Sequence, residues 1–305
     1  MSGPARRVLV CGAQGFIGRH IVQALQAAGF TVRAGVRERS QATLPDGTEP
    51  CLMDFSRDTR PEPWHARVAD CEAVINAVGV LREGGGQAMD AIHHTVPAAL
   101  FSACANTGVR RVLQVSALMP PDSRTRYAQS KRQAEASLLS LRAEGRLEAC
   151  VLRPSVVFGE GGASTALFRR LARLPLLPWP AQAVSPQIQP VCVEDLAAAC
   201  VRLLQATERP PATLDAVGPE RFTLPDFIAR LRRAAGLPPA RLLVLPSALG
   251  TASARLGDLC PRQPWGSETL ALLGADNIAD VAPLQAVLGR PPRSVFDGPD
   301  SGAPA

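Results

Sequence analysis

A short apolar strand that runs directly into a glycine-rich turn constrains the fold of this chain more than any other sequence feature. The apolar run Arg7–Cys11 predicts a strand. The turn Gly12-Ala-Gln-Gly15-Phe-Ile-Gly18 follows it, and a helical pattern then ends at Gly29. Glycines allow a backbone to approach another group closely, and a helix N-terminus attracts negative charge. The order strand, turn, helix therefore predicts an α/β fold in which the turn lies against a phosphate group.

The alternation of short apolar runs with helical patterns continues through the first half of the chain. Nearly continuous apolar strands that alternate with helices are typical of a parallel sheet covered on both faces. We therefore predict a Rossmann-type, doubly wound parallel sheet. The predicted strands are Arg7–Cys11, Thr31–Val36, Glu49–Met53, Ala73–Ala77, Arg111–Val115 and Glu148–Arg153, and the predicted helices are Gly18–Gly29, Val96–Gly108 and Arg126–Gly145.

The pattern changes after Pro154, where proline becomes frequent and helical segments dominate. We predict a dinucleotide-binding domain at residues 1–159, to which residues 187–206 return as a strand and a helix. Residues 160–293 are predicted to form a smaller, mostly helical substrate lobe. The last residues, 294–305, are rich in Gly, Pro, Ser and Asp, which predicts a flexible tail.

Composition excludes several classes of protein. The net charge is +6, but the arginines are scattered among acidic and apolar residues, which does not favour nucleic-acid binding. Apolar stretches are interrupted well before the ~20 residues that cross a bilayer, and we find no secretory signal. The eight cysteines are widely spaced and include no C-x-x-C pair, which predicts free thiols, no metal site and a cytoplasmic location.

The only tyrosine and the only lysine of the chain, Tyr127 and Lys131, stand four residues apart. That spacing places both side chains on one face of the predicted helix. A nearby ammonium favours the phenolate and lowers the pKa of a phenol, so that the phenol can both donate and accept a proton. All the other basic residues are arginine. The pair therefore predicts an acid/base site at the start of this helix.

The end of the second predicted strand bears on the choice of nucleotide. An acidic residue at this place usually binds the ribose 2′-hydroxyl of NAD, whereas an arginine accommodates the 2′-phosphate of NADP. The segment contains Arg37 flanked by Arg33 and Arg39, which favours NADP(H). Glu38 lies beside them and could bind the ribose 2′-hydroxyl, so NAD(H) remains an alternative cofactor.

The motifs of the chain resemble those of the short-chain dehydrogenase/reductase superfamily, in its extended or atypical branch, which includes the epimerases and dehydratases that bind NAD. The resemblance covers roughly residues 6 to 235. The matching segments are Gly12-x-x-Gly15-x-x-Gly18, Asp54-Phe55, Asn76-Ala-Val-Gly79, Val115-Ser116, Tyr127-x-x-x-Lys131, Arg153-Pro154-Ser-Val-Val-Phe-Gly159 and Gln189-Pro-Val-Cys-Val-Glu-Asp195.

Two further segments, His94-Thr-Val-Pro97 and Val115-Ser-Ala-Leu118, resemble one subgroup of that branch. This subgroup contains the nucleotide-binding accessory subunit of respiratory complex I and its bacterial relatives.

The resemblance implies roles for individual residues. Tyr127 would be the catalytic acid/base, Lys131 its electrostatic partner and a ribose ligand, and Ser116 a third catalytic residue. Arg37 would bind the 2′-phosphate, and Asp54 would meet the adenine. The implied cofactor-binding residues are Gly12, Gln14, Gly15, Phe16, Ile17, Gly18, Arg37, Asp54, Phe55, Asn76, Ala77, Val78, Gly79, Lys131, Pro154 and Val157.

The chain departs from the superfamily pattern at three places. Ala117 follows Ser116 where extended members usually carry a second hydroxyl residue, which holds the substrate carbonyl. His93 stands where an asparagine is common, and Cys192 where a histidine is expected. We interpret His93 as a polar relay or, with greater weight, as a histidine whose hydrogen bonds are satisfied or which is exposed. The missing donor makes weak catalysis with retained nucleotide binding an alternative.

Two functions remain open from the sequence. The first is an NADP(H)-dependent oxidoreductase, or an epimerase-like enzyme, that acts on a small carbonyl or alcohol. The second is a weakly active or inactive NAD(P)H-binding accessory protein of a larger, respiratory-type complex, located peripherally at the inner face of a membrane. The substrate is not identified, and a homodimer is left open. The candidates for a substrate pocket are the apolar residues Phe168 and Trp179 and the polar residue His93.

Overall fold

The computed structural model describes residues 6–37, 44–80, 89–259 and 265–297 of the chain. The strands of the described residues are β1 Arg7–Cys11, β2 Thr31–Val36, β3 Glu49–Leu52, β4 Ala73–Asn76, β5 Arg111–Val115, β6 Glu148–Pro154, β7 Val157–Phe158, β8 Leu176–Pro180, β9 Gln187–Ile188, β10 Val191–Cys192, β11 Thr213–Ala216, β12 Phe222–Thr223 and β13 Arg241–Leu245.

The α-helices of these residues are α1 Phe16–Ala27, α2 Glu62–Val68, α3 Val96–Thr107, α4 Arg126–Ala143, α5 Ala163–Arg173, α6 Val193–Gln205, α7 Leu224–Ala234, α8 Ser247–Asp258, α9 Ser267–Leu273 and α10 Ala282–Leu288. A π-helical turn, Ala91–Thr95, leads directly into α3, and a 3₁₀ turn, Ala181–Ala183, follows β8.

The central sheet has seven strands in the order β11-β6-β5-β4-β1-β2-β3. The pairs β1–β2, β1–β4, β2–β3, β4–β5 and β5–β6 are all parallel. The chain leaves β1 in one direction to build β2 and β3, and later returns to the other side of β1 with β4, so the strand order reverses there. The predicted Rossmann-type α/β fold is confirmed.

The strands at the centre of the sheet are apolar because helices cover both of their faces. Leu9, Val10, Val74, Ile75 and Val112 have no exposed surface. Because these strands are buried on both faces of the sheet, an apolar side chain is stabilising at every position. The alternation of polar and apolar residues that marks a half-exposed strand is therefore absent here. This is why the strands can be recognised in the sequence as short continuous apolar runs.

The chain divides into two compact units. The first contains the described residues up to Ala117, together with Gln129–Arg153 and Leu196–Leu214. The second contains Leu118–Ala128, Pro154–Asp195 and the described residues from Asp215 onward. This division differs in its bounds from the predicted one, which extends the first domain to residue 159 and returns residues 187–206 to it.

The second unit has its own apolar core, at which five phenylalanine rings meet. Phe227 is fully buried, and its ring centroid lies 5.6 Å from those of Phe158, Phe168 and Phe296. The proline-rich segment Leu174–Pro180 contains β8, which pairs in parallel with β13. Proline is tolerated in β8 because this sheet has two strands only, so each strand leaves one edge free of hydrogen-bonding demands.

The predicted flexible tail is wrong for its first residues. Val295 is buried in the core of the second unit, and Phe296 packs against Phe222 and Phe227. Two large apolar side chains outweigh the turn-forming composition around them. The rest of the predicted tail, residues 298–305, lies outside the described residues.

None of the described helices is long and apolar enough to cross a membrane. Seven of the cysteines are described, and all are free thiols. No cluster of His, Cys, Asp or Glu suited to a metal ion occurs among the described residues.

Arg111 connects the returning segment 196–214 to the sheet within the first unit. Its guanidinium is almost completely buried and pairs with Glu148. It also donates to the carbonyl oxygens of Ala206, at 2.9 Å, and Glu208, at 3.0 Å, and to that of Leu203. One side chain thus satisfies carbonyl groups at and beyond the end of α6, which otherwise have no intrahelical partner.

We expect Arg111→Met to lower the free energy of unfolding by about 2–4 kcal/mol, because it leaves several buried carbonyl groups without a donor. Urea unfolding followed by circular dichroism measures this change. The neighbouring Arg110 is exposed, so Arg110→Met should change the same quantity by less than about 0.5 kcal/mol. Equal effects of the two substitutions would show that the buried contacts of Arg111 do not contribute more to the free energy of unfolding than the exposed contacts of Arg110.

Candidate functional site

A cavity of about 520 Å³ opens in the first unit, where strands β1 to β4 end. Loops that follow neighbouring parallel strands meet at the same edge of a sheet, which is where ligands bind in folds of this kind. The residues that line the cavity are Gly12, Gln14, Gly15, Gly35, Val36, Arg37, Met53, Asp54, Phe55, Ser56, Ala77, Val78, Gly79, Val80 and Ile92.

The glycine turn lets two backbone segments approach each other at the wall of the cavity. Gly12 has a φ of +77°, and a Cβ there would lie 3.1 Å from the Cγ2 atom of Val78. A Cβ at Gly18 would overlap the carbonyl oxygen of Gly12. The turn is closed by a hydrogen bond from the amide of Gly15 to the same oxygen, at 2.9 Å. Side chains at these positions would therefore fill the space at the wall of the cavity or push α1 away from the strand.

The first turn of α1 carries amide donors and no negative charge. Gly15 is the N-cap residue and has no side chain to accept from these amides, and no acidic residue lies in the first turn. The first N–H groups of a helix have no intrahelical acceptor, and the helix dipole adds partial positive charge at this end. This end of α1 is suited to an anionic group.

The structure separates the arginines that the sequence placed together. Arg37 follows β2 and lines the cavity, where its charge helps to lower the pKa of Asp54. Arg33 is buried instead, and its guanidinium binds the carboxylate of Asp70, at 2.6 Å, and that of Glu49, at 3.2 Å. Arg33 therefore flanks Arg37 in the sequence but does not line the cavity.

The two remaining residues of that prediction, Glu38 and Arg39, lie outside the described residues. Arg37 is thus the arginine of the motif whose position beside the cavity is known.

Asp54 stabilises the turn that follows β3. Its Oδ1 atom accepts from the amide of Ser56 at 2.8 Å and from the hydroxyl of the same residue at 2.5 Å. These hydrogen bonds from Ser56 are the main cause of a pKa below the ordinary value for an aspartate. The carboxylate therefore stays charged at the rim of the cavity.

Asn76 shapes the loop after β4 but does not line the cavity. It is fully buried, its amide donates to the side chain of Gln114 at 2.8 Å, and its oxygen accepts from the amide of Val78 at 3.2 Å. The expectation of a direct cofactor contact by Asn76 is not met by this geometry. It positions Ala77, Val78 and the residues after them, which do line the cavity.

Other residues of the predicted cofactor set are also absent from the cavity lining. Phe16 and Ile17 begin α1, where the ring of Phe16 packs edge-on against His20. Pro154 and Val157 belong to the second unit, in which Val157 pairs with Val191.

His93 bridges the loop after β4 and helix α4 within the first unit. The amide of Val80 donates to its Nε2 atom at 3.0 Å, so the ring proton is on Nδ1, which lies 3.0 Å from the hydroxyl of Ser130. Burial, with a contribution from the ammonium of Lys131, lowers the pKa of His93 to about 3. His93 is therefore a neutral histidine with its hydrogen bonds satisfied, as the sequence favoured.

Lys131 reaches the same place from helix α4. Its ammonium is buried, donates to the carbonyl oxygen of Val115 at 3.3 Å, and would lie 3.0 Å from a Cβ at Gly79. Burial lowers the pKa of Lys131 to about 8, and the carboxylate of Glu135 opposes that shift. A side chain at Gly79 would thus occupy the space between this ammonium and the cavity loop.

Tyr127 stands one helical turn before Lys131 on α4, which is one continuous helix from Arg126 to Ala143. Tyr127 is only partly buried, and this burial raises the pKa of its phenol above the ordinary value, whereas the sequence argument expected a nearby ammonium to lower it. As the side chain stands, the phenol holds its proton at neutral pH. A proton donor is therefore ready, while a phenolate is disfavoured.

Ser116 belongs to a buried network that the sequence did not indicate. Its hydroxyl donates to the carboxylate of Glu135 at 2.5 Å, and Arg153 binds the other oxygen of that carboxylate with its Nε atom at 3.0 Å. Glu135 lies four residues after Lys131 and eight after Tyr127 on α4. This repeat of polar residues at intervals of four was the signal that could have identified it.

The two aromatic candidates for a substrate pocket are core residues of the second unit. Phe168 packs edge-on against Phe227, and the indole of Trp179 donates to the carbonyl of Ala183 at 2.8 Å. Both are more than nine-tenths buried. They build the core of that unit and do not offer a surface to a ligand.

Comparison with known proteins gives a family and relatives. The family model described as "NAD dependent epimerase/dehydratase family" matches residues 8–215. The "Ceramide reductase" of Caulobacter vibrioides is 26% identical over 254 residues, which cover 81% of this chain and 76% of that protein.

A second relative comes from Arabidopsis thaliana: the mitochondrial "NADH dehydrogenase (ubiquinone) 1 alpha subcomplex subunit 9". It is 30% identical over 227 residues, which cover 70% of this chain and 54% of that subunit, so the match spans about half of the subunit's length. Among solved structures, that of MoeE5 in complex with UDP-glucuronic acid and NAD has a TM-score of 0.72 and 22% identity, over 94% of each chain. At this identity the likeness concerns the fold.

The neutral, buried state of His93 predicts a pH dependence of stability. Because its pKa lies below that of an unfolded histidine, the unfolded chain binds the proton first, and stability falls as pH decreases from 6.5 toward 3. We expect this residue to remove about 2 kcal/mol of the free energy of unfolding between pH 6.5 and pH 5.

Urea unfolding at several pH values measures this loss, and His93→Gln should abolish it. The matched control is His94→Gln, one residue further along the π-helical turn, because His94 is only partly buried. A pH dependence that survives His93→Gln but disappears with His94→Gln would contradict the assignment.

Proposed function

Because this chain belongs to the NAD-dependent epimerase/dehydratase family, we propose that it is an oxidoreductase that binds a nicotinamide dinucleotide in the cavity of the first unit. The proposal rests on the glycine turn that follows β1. There Gly12 and Gly15 leave a side-chain-free wall beside the donor-rich start of α1. A pyrophosphate fits such a wall because amides can approach it directly.

The residues around this turn supply the rest of a dinucleotide site. The charged Asp54 would meet the adenosine half, and the backbone of Ala77–Gly79 would lie along the cofactor. Gly79 leaves space beside the ammonium of Lys131, which would then be available to hydroxyl groups of a ribose. A bound nicotinamide would supply or accept a hydride.

We further propose a preference for NADP(H). The supporting observation is that Arg37 lines the cavity at the end of β2, the place where an arginine accommodates a 2′-phosphate.

Tyr127 and Lys131 would supply the proton chemistry. The phenol of Tyr127 is protonated at neutral pH, so it would donate this proton to a carbonyl oxygen that becomes an alcohol, with the phenolate left behind needing a stabilising charge. The charged form of Lys131 would stabilise the phenolate that remains, and this form is lost as pH rises through about 8. We therefore propose that the chain catalyses carbonyl reduction, with the rate decreasing above that pH.

A second candidate is an accessory protein that binds the nucleotide without turnover. It is favoured by the state of Ser116, whose hydroxyl is buried and occupied by Glu135, and by Ala117, which offers no hydroxyl in its place. Loss of one oriented donor costs on the order of 2–4 kcal/mol of transition-state stabilisation. The matched half of the Arabidopsis subunit is consistent with this candidate and with a peripheral place in a larger assembly.

Tyr127→Phe tests the enzymatic proposal. We expect NADPH oxidation, followed by absorbance across a panel of aldehydes and ketones of increasing chain length, to fall by about 10²–10⁴-fold, because the proton donor is lost. The dissociation constant for NADPH should change less than about twofold. Gln129→Ala, an exposed change on the same helix, is the control and should leave both quantities unaltered.

The same experiment separates the two candidates. Measurable turnover in the wild-type chain that Tyr127→Phe leaves intact would refute the role of the tyrosine. Tight NADPH binding without turnover on any member of the panel would instead support the accessory protein.

Arg37→Gln tests the nucleotide preference. We expect it to weaken NADPH binding by about tenfold and to leave NADH binding unchanged, since only NADPH carries the 2′-phosphate. Calorimetric titration measures both. Arg57→Gln is the matched control, because Arg57 is exposed and also lies near Asp54, at 3.7 Å. A wild-type chain that binds NADH more tightly than NADPH would overturn the proposed preference.

A further inference from the structure

In helix α8 of the second unit, small residues are buried and leucines are exposed to solvent. Gly250 and Ala254 are buried, and a Cβ at Gly250 would lie 2.7 Å from the Cβ of Pro180. Leu249 and Leu256 are seven residues apart and share the opposite face, with 56% and 68% of their surfaces exposed. A helix that only packed onto its own unit would carry its leucines on the buried side.

Strand β13, which precedes α8, continues this apolar surface. Leu242, Leu243 and Val244 are consecutive and each more than a third exposed, because β8 is the single strand with which β13 pairs among the described residues. Leu176 of β8 is also exposed, beside Arg241. Pro246 is the whole connection between β13 and α8, so the two elements form one surface. An exposed apolar edge strand is an aggregation hazard unless something covers it.

This surface lies in a strongly basic part of the second unit, which also includes helix α5 and the end of helix α7, the helices that precede its two strands. Residues 163–180 and 230–259 together contain eight arginines and one acidic residue, Asp258, which gives them a net charge of +7, whereas the whole chain carries +6. Five of these arginines are exposed and form no ion pair with any residue that the structure describes: Arg170, Arg173, Arg233, Arg241 and Arg255. Arg241 is the register partner of the exposed Leu176, and Arg255 directly precedes the exposed Leu256 on α8, so positive charge adjoins these leucines.

We propose that this apolar-basic surface, formed by Leu176, Leu242–Val244, Leu249 and Leu256 with Arg241 and Arg255, binds a lipid bilayer that contains anionic lipids. The leucines would enter the boundary between headgroups and acyl chains, and the arginines would bind phosphate groups while their aliphatic stems follow the apolar surface. Helix α8 would lie in the plane of the membrane.

The charge and the residue types of this surface favour a bilayer over a second copy of the chain or another protein. A second copy of the chain would bring two surfaces of the same sign together, at a cost in electrostatic energy. A protein interface usually concentrates Tyr, Trp, Phe or Met at its centre, and the apolar side chains named for this surface are all Leu or Val. Scattered aliphatic side chains among arginines are what an anionic headgroup layer accommodates.

Flotation of the full chain with vesicles tests the proposal. We expect binding to vesicles of phosphatidylcholine with 30 mol% phosphatidylglycerol, and much weaker binding to phosphatidylcholine alone. Leu249→Gln combined with Leu256→Gln should reduce binding by about tenfold or more. Arg241→Glu and Arg255→Glu should each reduce it by at least about fivefold, and added NaCl should do the same.

Matched substitutions elsewhere provide the controls. Leu52→Gln and Arg202→Glu change an exposed leucine and an exposed arginine of the first unit, and both variants should bind vesicles as the wild-type chain does. Free glycerol 1-phosphate should not compete, since it lacks acyl chains. Circular dichroism spectra identical to that of the wild-type chain would show that all variants are folded.

Three results would overturn the proposal. They are absence of binding to the anionic vesicles at low salt, equal binding by the leucine variants and the wild-type chain, and binding that glycerol 1-phosphate abolishes. A wild-type dimer in solution that the leucine variants convert to a monomer, without vesicle binding, would assign the surface to a second copy instead.

Discussion

The close approach of α1 to the end of β1 is the constraint on which the candidate site depends. Gly18 packs directly on the carbonyl of Gly12, where no side chain fits. This contact holds the start of the helix against the end of the strand and directs its free amides toward the edge of the sheet. The cavity, the loops after the next three strands and the position of Arg37 are arranged around that edge.

A second organising element is the carboxylate of Glu135 on α4. It binds the ends of two neighbouring strands through Ser116 and Arg153, and it lies one helical turn from Lys131. A buried carboxylate is stable only when donors surround it, so the network fixes these groups relative to one another. It also explains why the serine hydroxyl faces inward rather than toward a ligand.

The sequence predicted the regular parts of the first unit closely, because a buried parallel sheet leaves short apolar runs punctuated by glycine. The strands Arg7–Cys11, Thr31–Val36 and Arg111–Val115 match their predicted bounds in full. Elements whose stability comes from tertiary contacts were missed. β8 is an example, because prolines are unusual in strands. Val295 is another, because its burial depends on a core that is distant in sequence.

The site residues likewise divide into those that the sequence could predict and those that it could not. Backbone-defined positions such as Gly12 and Gly79 were recognisable, because glycine spacing reflects local geometry. The roles of Arg33, Asn76 and Phe168 were not, since a sequence does not show whether a side chain points to a cavity or to a buried partner. The protonation of Tyr127 likewise follows from burial, which no spacing of residues expresses.

Lys131 gives the chain an unusual chemical property, because it is the single side-chain amine among 305 residues. Because burial lowers its pKa to about 8, a larger fraction of this amine is uncharged at pH 7.4 than of a solvated lysine. Acylating reagents small enough to enter would thus mark one internal position, and the degree of marking would report how open the surroundings of that amine are.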